Sequence, residues 1–234
     1  AEAQKRALEQ KESQVDQWLE AELPALEKKE DDGEIVVWAD EVGISMKPVV
    51  GNTWATRGQP PVIFAKTNWK KLSVIGGITS QGQFFQQTHE GSIKAPGFIA
   101  FLSHLLRHLK GKITVVVDNA SIHKAKSVSD FLAKHDRLSI TYLPPYCPEL
   151  NPVELVWAYL KRHLLANYCP GTLEQLKAYL RTAWPKIRYR QLPAKLLGIQ
   201  LDSNRLSTES IERIAPVPVA DLDQVALVTL PILL

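Results

Sequence analysis

Cysteine is nearly missing from this chain of 234 residues: Cys147 and Cys169 are the only two, far apart and without a Cys-x-x-Cys or Cys/His companion. That argues against a disulfide framework and a structural zinc centre, and fits a reducing cytosol. No run of about 18 apolar residues is present, so a membrane-spanning helix is not expected. The first residues are charged rather than signal-like, so secretion is not expected either, and the chain reads as soluble and cytoplasmic. Methionine is scarcer still, with Met46 alone and Ala1 in first position, so further sequence upstream is expected. An excess of one charge is also lacking. Twenty-eight Lys and Arg against 25 Asp and Glu leave a net charge of +3, which permits a nucleic-acid partner without requiring one. No internal repeat is visible.

What is present is a chain with 45% hydrophobic residues, enough for a sizeable core. Residues 1–32 carry Leu8, Val15, Trp18, Leu19 and Leu23 at roughly helical spacing and predict a packing helix. The apolar, β-branched run Glu34 to Asp40 predicts a buried strand ending in a carboxylate. Lys71 to Thr79 and Gln83 to His89, separated by Ser80, Gln81 and Gly82, have the pattern of a hairpin. Ala95 to Leu109 has helical spacing of Phe98, Phe101, Leu102, Leu105, Leu106 and Leu109. Ile113 to Val117 is a second buried-type strand, followed at once by Asp118, and a helix is expected near Ser127 to His135. Leu138 to Leu143 predicts the last strand. The stretch Pro144 to Pro152 is rich in proline, which lacks the amide donor, and predicts a stiff loop, leading into helices over Pro152 to Ala166 and Thr172 to about Ile187. A hairpin followed by alternating strands and helices predicts a mixed α/β sheet flanked by helices.

Two strands ending in Asp40 and Asp118, if parallel neighbours, set both carboxylates at one sheet edge, where ligands of open α/β sheets bind. Glu154 then enters from the first turn of a helix. Three carboxylates in one cleft repel and raise one another's pKa unless cations lie between them. Oxygen ligands select hard ions such as Mg²⁺ or Mn²⁺. Two such ions about 4 Å apart could activate a water or 3′-hydroxyl and stabilise the leaving oxygen in a displacement at phosphorus. Blander readings stand beside this one. Aspartates often cap turns after strands, and Asn151, Pro152 and Glu154 also form a capping-box pattern.

The segments WADE at 38–41, VVVDNASIH at 115–123 and LPPYCPELNPVELVW at 143–157 resemble the three acidic motifs of the mariner-superfamily DDE transposases, specifically the bacterial insertion sequence 630 type. The likeness runs in order over roughly residues 10–190. It implies an RNase H-like fold in which Asp40, Asp118 and Glu154 hold two Mg²⁺ ions, with Mn²⁺ as substitute. It also implies cleavage of double-stranded DNA at transposon ends and transfer of the freed 3′-hydroxyl into target DNA, in a bacterial cytoplasm at the nucleoid. Cutting and joining two ends implies a homodimer. The resulting division is a linker helix over 1–32, a catalytic domain over 33–190 and an unassigned tail over 191–234, ending in the apolar Val225 to Leu234.

Supporting roles are expected for Asn119 and His123, which follow Asp118 and are placed to orient a carboxylate or touch a phosphate. Glu41 is excluded, because successive strand side chains point to opposite faces. Lys161 and Arg162, two turns beyond Glu154, form one candidate DNA contact, and Lys66, Lys70 and Lys71 around Trp69 form another. Trp38, Trp54, Trp157 and Trp184 are expected in the core. His104 and His108 have a zinc-compatible spacing but no evident third ligand. Two other functions remain open: an RNase H-like nuclease that never joins strands, and a catalytically silent DNA-binding relic.

Overall fold

The computed structural model describes residues 9–65 and 70–189. Helix α1 spans Glu12–Asp31, and strand β1 runs Ile35–Ser45. The hairpin β2 Lys71–Thr79 and β3 Phe84–Glu90 follows, then helix α2 Ala95–His108. Next come β4 Ile113–Val117, α3 Lys126–Leu132 and β5 Leu138–Tyr142, and last the helices α4 Val153–Tyr159 and α5 Leu173–Tyr189. The five strands form one sheet in the order β3-β2-β1-β4-β5. β1 is antiparallel to β2 and parallel to β4, so the sheet is mixed, as expected from a hairpin followed by strand–helix–strand units.

Alternation along β1 divides the core into two layers. Val37 and Ala39 face α2 and α3, joining Val115, Val117, Phe98, Phe101, Leu102, Leu105 and Val128 in one cluster. On the other face, Trp38 meets Trp18 of α1 edge to face, with ring centroids 6.2 Å apart. Phe84 meets Trp157 and Trp184 of α4 and α5 on that face. Both faces of β4 are therefore covered, which is why ITVVV is β-branched and buried throughout.

Several expectations are corrected. β1 does not stop at Asp40: antiparallel pairing with β2 carries it to Ser45, so Asp40 lies within a strand. A parallel neighbour is lost there, because β4 ends at Val117, and one side of β1 is left open. The expected single helix over Pro152 to Ala166 is an α-helix only to Tyr159. It continues as a π turn over Leu160–Leu164, closed by a bond from the Leu165 amide to the Leu160 carbonyl. Trp54 is not a core residue. It is 92% exposed, whereas Trp38, Trp157 and Trp184 are buried. Of the α1 stripe, Trp18 is buried and Val15, Leu19 and Leu23 are partly buried, Leu8 lies outside the described residues, and Leu26, not in the stripe, is buried as well.

Candidate active site

Carrying the β1–β4 register, which pairs Trp38 with Val116, two residues further sets Asp40 opposite Asp118 at the carboxyl end of β4. The third acidic residue, Glu154, sits in the first turn of α4. Asn151 anchors that helix. Its side-chain amide donates to the Ala39 carbonyl at 3.0 Å, and its oxygen accepts the Val153 amide at 3.2 Å. The buried asparagine thus caps the helix and ties its start to the residue before Asp40. The reciprocal half of a capping box is absent among the described residues, because the Asn151 amide donates to the Pro148 carbonyl instead. Glu154 is left for the cleft.

Trp157, one turn beyond Glu154, donates its indole N–H to Asp40 Oδ2 at 2.9 Å. The ring fits because Asp40 faces Gly76 across the β1–β2 ladder, and a Cβ on Gly76 would stand 2.5 Å from the tryptophan ring. Glycine inside a strand here marks a close approach. Burial, with Glu154 and Glu41 nearby, pushes the Asp40 carboxyl up to about 7 against the weaker opposing pull of Trp157. Burial also raises Glu154, offset in part by Lys161.

Asp118 has the opposite environment. Its Oδ1 lies 2.9 Å from His123 Nδ1 as an ion pair and accepts the Ala120 amide at 3.0 Å, while the same ring nitrogen is 3.2 Å from the Asp118 carbonyl oxygen. These bonds, His123 first, hold its carboxyl below the usual aspartate range although burial works the other way. His123 is itself buried. Its Nε2 lies 3.1 Å from Glu41 Oε1, and Phe98 packs on the ring with centroids 4.5 Å apart. Burial alone would lower the imidazole, but the bonds to Asp118 and Glu41 outweigh it and push it up to about 9.

The structure therefore pairs Asp40 with Glu154 and couples Asp118 to His123. Among the described residues no three His, Cys, Asp or Glu side chains converge closely enough to hold a metal ion by themselves. The donor set still suits a hard cation. Two desolvated carboxylates repel each other, and a divalent ion between them would relieve both that repulsion and the burial cost.

The other predicted residues divide. Asn119 donates to the Leu143 carbonyl and accepts from Lys124 Nζ at 2.6 Å, which makes it a loop brace. Lys161 acts on Glu154 electrostatically and lines a small cleft with Lys47 and Tyr168, while Arg162 is exposed. Lys70 and Lys71 are exposed, and Lys66 and Trp69 lie outside the described residues. His104 and His108 face each other with ring centroids 4.2 Å apart, without a third ligand among the described residues. Sequence reasoning missed Trp157, Gly76 and Glu41 as members of the site. The first two left a signal: Trp157 stands one helical turn from Glu154, and a Gly-Gly pair interrupts the run of Val74, Ile75 and Ile78 in β2.

Comparison with known proteins adds the family and the fold. The family described as DDE superfamily endonuclease matches residues 35–177. The 39 kDa protein of insertion element IS630 from Shigella sonnei is 28% identical over 148 residues, which are 62% of this chain and 43% of that protein. The Tc3 transposase of Caenorhabditis elegans is 28% identical over 175 residues, 70% of this chain and 53% of that protein. The chain thus spans about half the length of these curated relatives. Among solved structures, the Mos1 strand transfer complex aligns with a TM-score of 0.63 at 19% identity, over 87% of this chain and 63% of that one. The catalytic domain of Mos1 mariner transposase aligns with a TM-score of 0.56 at 16% identity, over 83% of this chain and 95% of that one. At such identities the shared property is the fold, an RNase H-like mixed sheet flanked by helices.

Proposed function

This chain belongs to the DDE superfamily endonuclease family, and from that membership we propose that it is the catalytic domain of a cut-and-paste DNA transposase. The observation that carries the reading is the pair of desolvated, mutually repelling carboxylates, Asp40 and Glu154, with Asp118 just past the end of the adjoining strand β4. These three would hold divalent metal, Mg²⁺ or Mn²⁺, and two ions are proposed. Relatives of this fold were solved as the Mos1 mariner paired-end complexes with Mg and with Mn. When bound, such ions lower the pKa of an attacking hydroxyl and neutralise charge on the phosphate.

The protein's own part is to hold the ligands still. Trp157 fixes one oxygen of Asp40, and His123 with the Ala120 amide fixes one oxygen of Asp118. Ligating carboxylates gain orientation and basicity from such partners. Asn151 keeps Glu154 at the open side of β1 by tying the helix start to Ala39. Lys161, beside Glu154, is assigned to a phosphate of the DNA, and Arg162, Lys66, Lys70 and Lys71 to more distant backbone contacts. The substrates are double-stranded transposon ends and target DNA, handled by a homodimer in the bacterial cytoplasm at the nucleoid.

The test is to incubate the chain with Mg²⁺, supercoiled plasmid and a labelled duplex with a free 3′-hydroxyl. Nicking together with covalent joining of the label, both abolished by EDTA and by Asp118→Asn, is expected. Nicking without joining would replace the transposase by a hydrolytic nuclease. Metal uptake with neither reaction would leave a silent DNA-binding relic.

A further inference from the structure

Glu41 lies on the face of β1 opposite to Asp40, so it makes no direct approach to the cleft. It nevertheless belongs to the same network, because His123 reaches around the end of β4. The imidazole is only 1% exposed, with Nδ1 at 2.9 Å from Asp118 Oδ1 and Nε2 at 3.1 Å from Glu41 Oε1. The backbone around it is braced too, by its amide on the Ala120 carbonyl at 3.0 Å and by Tyr142 Oη–H on its own carbonyl at 3.3 Å. Both contacts to the Asp118 carboxylate, the His123 ion pair and the Ala120 amide bond, end on Oδ1, and His123 Nδ1 is also 3.2 Å from the Asp118 carbonyl oxygen. Oδ2 takes part in no hydrogen bond or ion pair among the described residues.

We propose that Glu41 and His123 form a positioning couple for Asp118: Glu41 grips the imidazole from the far face of the sheet, His123 fixes Oδ1, and Oδ2 is left to ligate metal. The couple deepens the transposase reading and rests on it. A buried imidazole held at one nitrogen only can turn about its Cβ–Cγ bond and would leave Nε2 without a partner. With acceptors at both nitrogens and Phe98 against its ring, it has one orientation. Asp118 needs that support more than Asp40 does, because it lies beyond the end of β4, without a ladder to hold it, and is 54% exposed. Asp40 has strand pairing and the Trp157 indole.

The test is calorimetric titration of Mn²⁺ into the full chain, into Asp118→Asn, and into Glu41→Ala and Glu41→Gln, with circular dichroism as the check on folding. Glu41→Ala is expected to bind Mn²⁺ about 10–100-fold more weakly, the usual effect of losing such outer support. Glu41→Gln, whose amide oxygen still accepts from Nε2, should recover most of that loss. The ¹⁵N signal of His123 Nε2 should move in Glu41→Ala and stay near its place in Glu41→Gln. Should the alanine variant fail to fold, Glu41→Asp keeps the charge but withdraws it from the ring, and weaker binding is again expected. Unchanged or tighter Mn²⁺ binding in folded Glu41→Ala or Glu41→Asp, while Asp118→Asn loses it, overturns the couple alone. A wild-type chain that takes up no Mn²⁺, with or without a short DNA duplex, overturns the metal reading and the couple with it.

Discussion

The two aspartates that share a register at the carboxyl edge of this sheet have opposite surroundings. Asp40 is inside a strand, under a tryptophan, with Glu154 as its charged neighbour, and its carboxyl is pushed up to about 7. Asp118 is at the mouth of a loop, half exposed, with a buried histidine as its partner, and is held below its usual range. Asp40 has a carboxylate, Glu154, as its charged neighbour, whereas Asp118 has a cationic partner in His123. The contrast shows that similar charge at neighbouring positions does not imply similar energetics: the sign of the nearest partner and the depth of burial decide.

The sharpest way to break that comparison is to neutralise each aspartate in turn. Asp40→Asn and Asp118→Asn should both abolish metal-dependent DNA cleavage, the largest effect expected. Their stabilities in EDTA should move in opposite directions. Above about pH 7, Asp40→Asn removes a repelling buried charge and should stabilise the metal-free chain on the order of 2 kcal/mol. Asp118→Asn should destabilise it by about 1 kcal/mol or less, since that ion pair is half exposed. Denaturant melts of both variants check this, and equal shifts of the same sign would remove the distinction.

Gly76→Ala probes the Asp40 half through packing. The added Cβ would collide with the Trp157 ring and drive its indole from Asp40. A loss of about 1–3 kcal/mol is expected, as for other overpacked cores, together with weaker Mn²⁺ binding. An alanine variant as stable as wild type would mean that Trp157 moves freely.

pH titrates the two halves in separate windows. Asp40, with an ordinary value of 3.8 and about 7 when folded, binds more protons in the native chain between these values, so stability falls as pH rises through them. His123, raised from 6.5 to about 9, contributes stability that is full below 6.5 and lost as pH rises through 9. In EDTA the melting temperature should therefore drop from about pH 5 to about pH 9, by several degrees. Asp40→Asn should flatten the lower part of that slope and His123→Asn the upper part. Excess Mn²⁺ should flatten the lower part as well.

The smallest effect is expected away from both aspartates. Replacing Lys161 and Arg162 by Glu should weaken DNA binding and reduce the slope of log K against log salt by about 2, because each DNA phosphate without its cationic side chain keeps a counterion. A lower slope in Lys161→Glu alone would restrict the DNA contact to the cation beside Glu154.

Much of this is legible in the sequence where the signal is local. ITVVV reads as a strand because every residue is apolar and β-branched or nearly so, and it is a strand buried on both faces. The hairpin of β2 and β3 and the face of α2 follow from alternation and from helical spacing in the same way. The end of β1 is not legible, because a charged pair, Asp40 and Glu41, looks like the end of an apolar run. Only pairing with β2 shows that the strand continues. Trp54 misleads because an aromatic residue reads as core until a neighbour is found for it, and here it is 92% exposed.

The amino-acid sequence by itself determined the order of elements and a mixed sheet flanked by helices, and it singled out three acidic residues for a proposed site, since these depend on periodicity and on motif residues close to one another in the chain. Only the tertiary structure decided the partners of those acids. Trp157 is 117 positions from Asp40, and His123 is 82 from Glu41. Contacts over such separations depend on strand order, register and helix placement, so no local pattern encodes which aspartate faces a carboxylate and which a histidine.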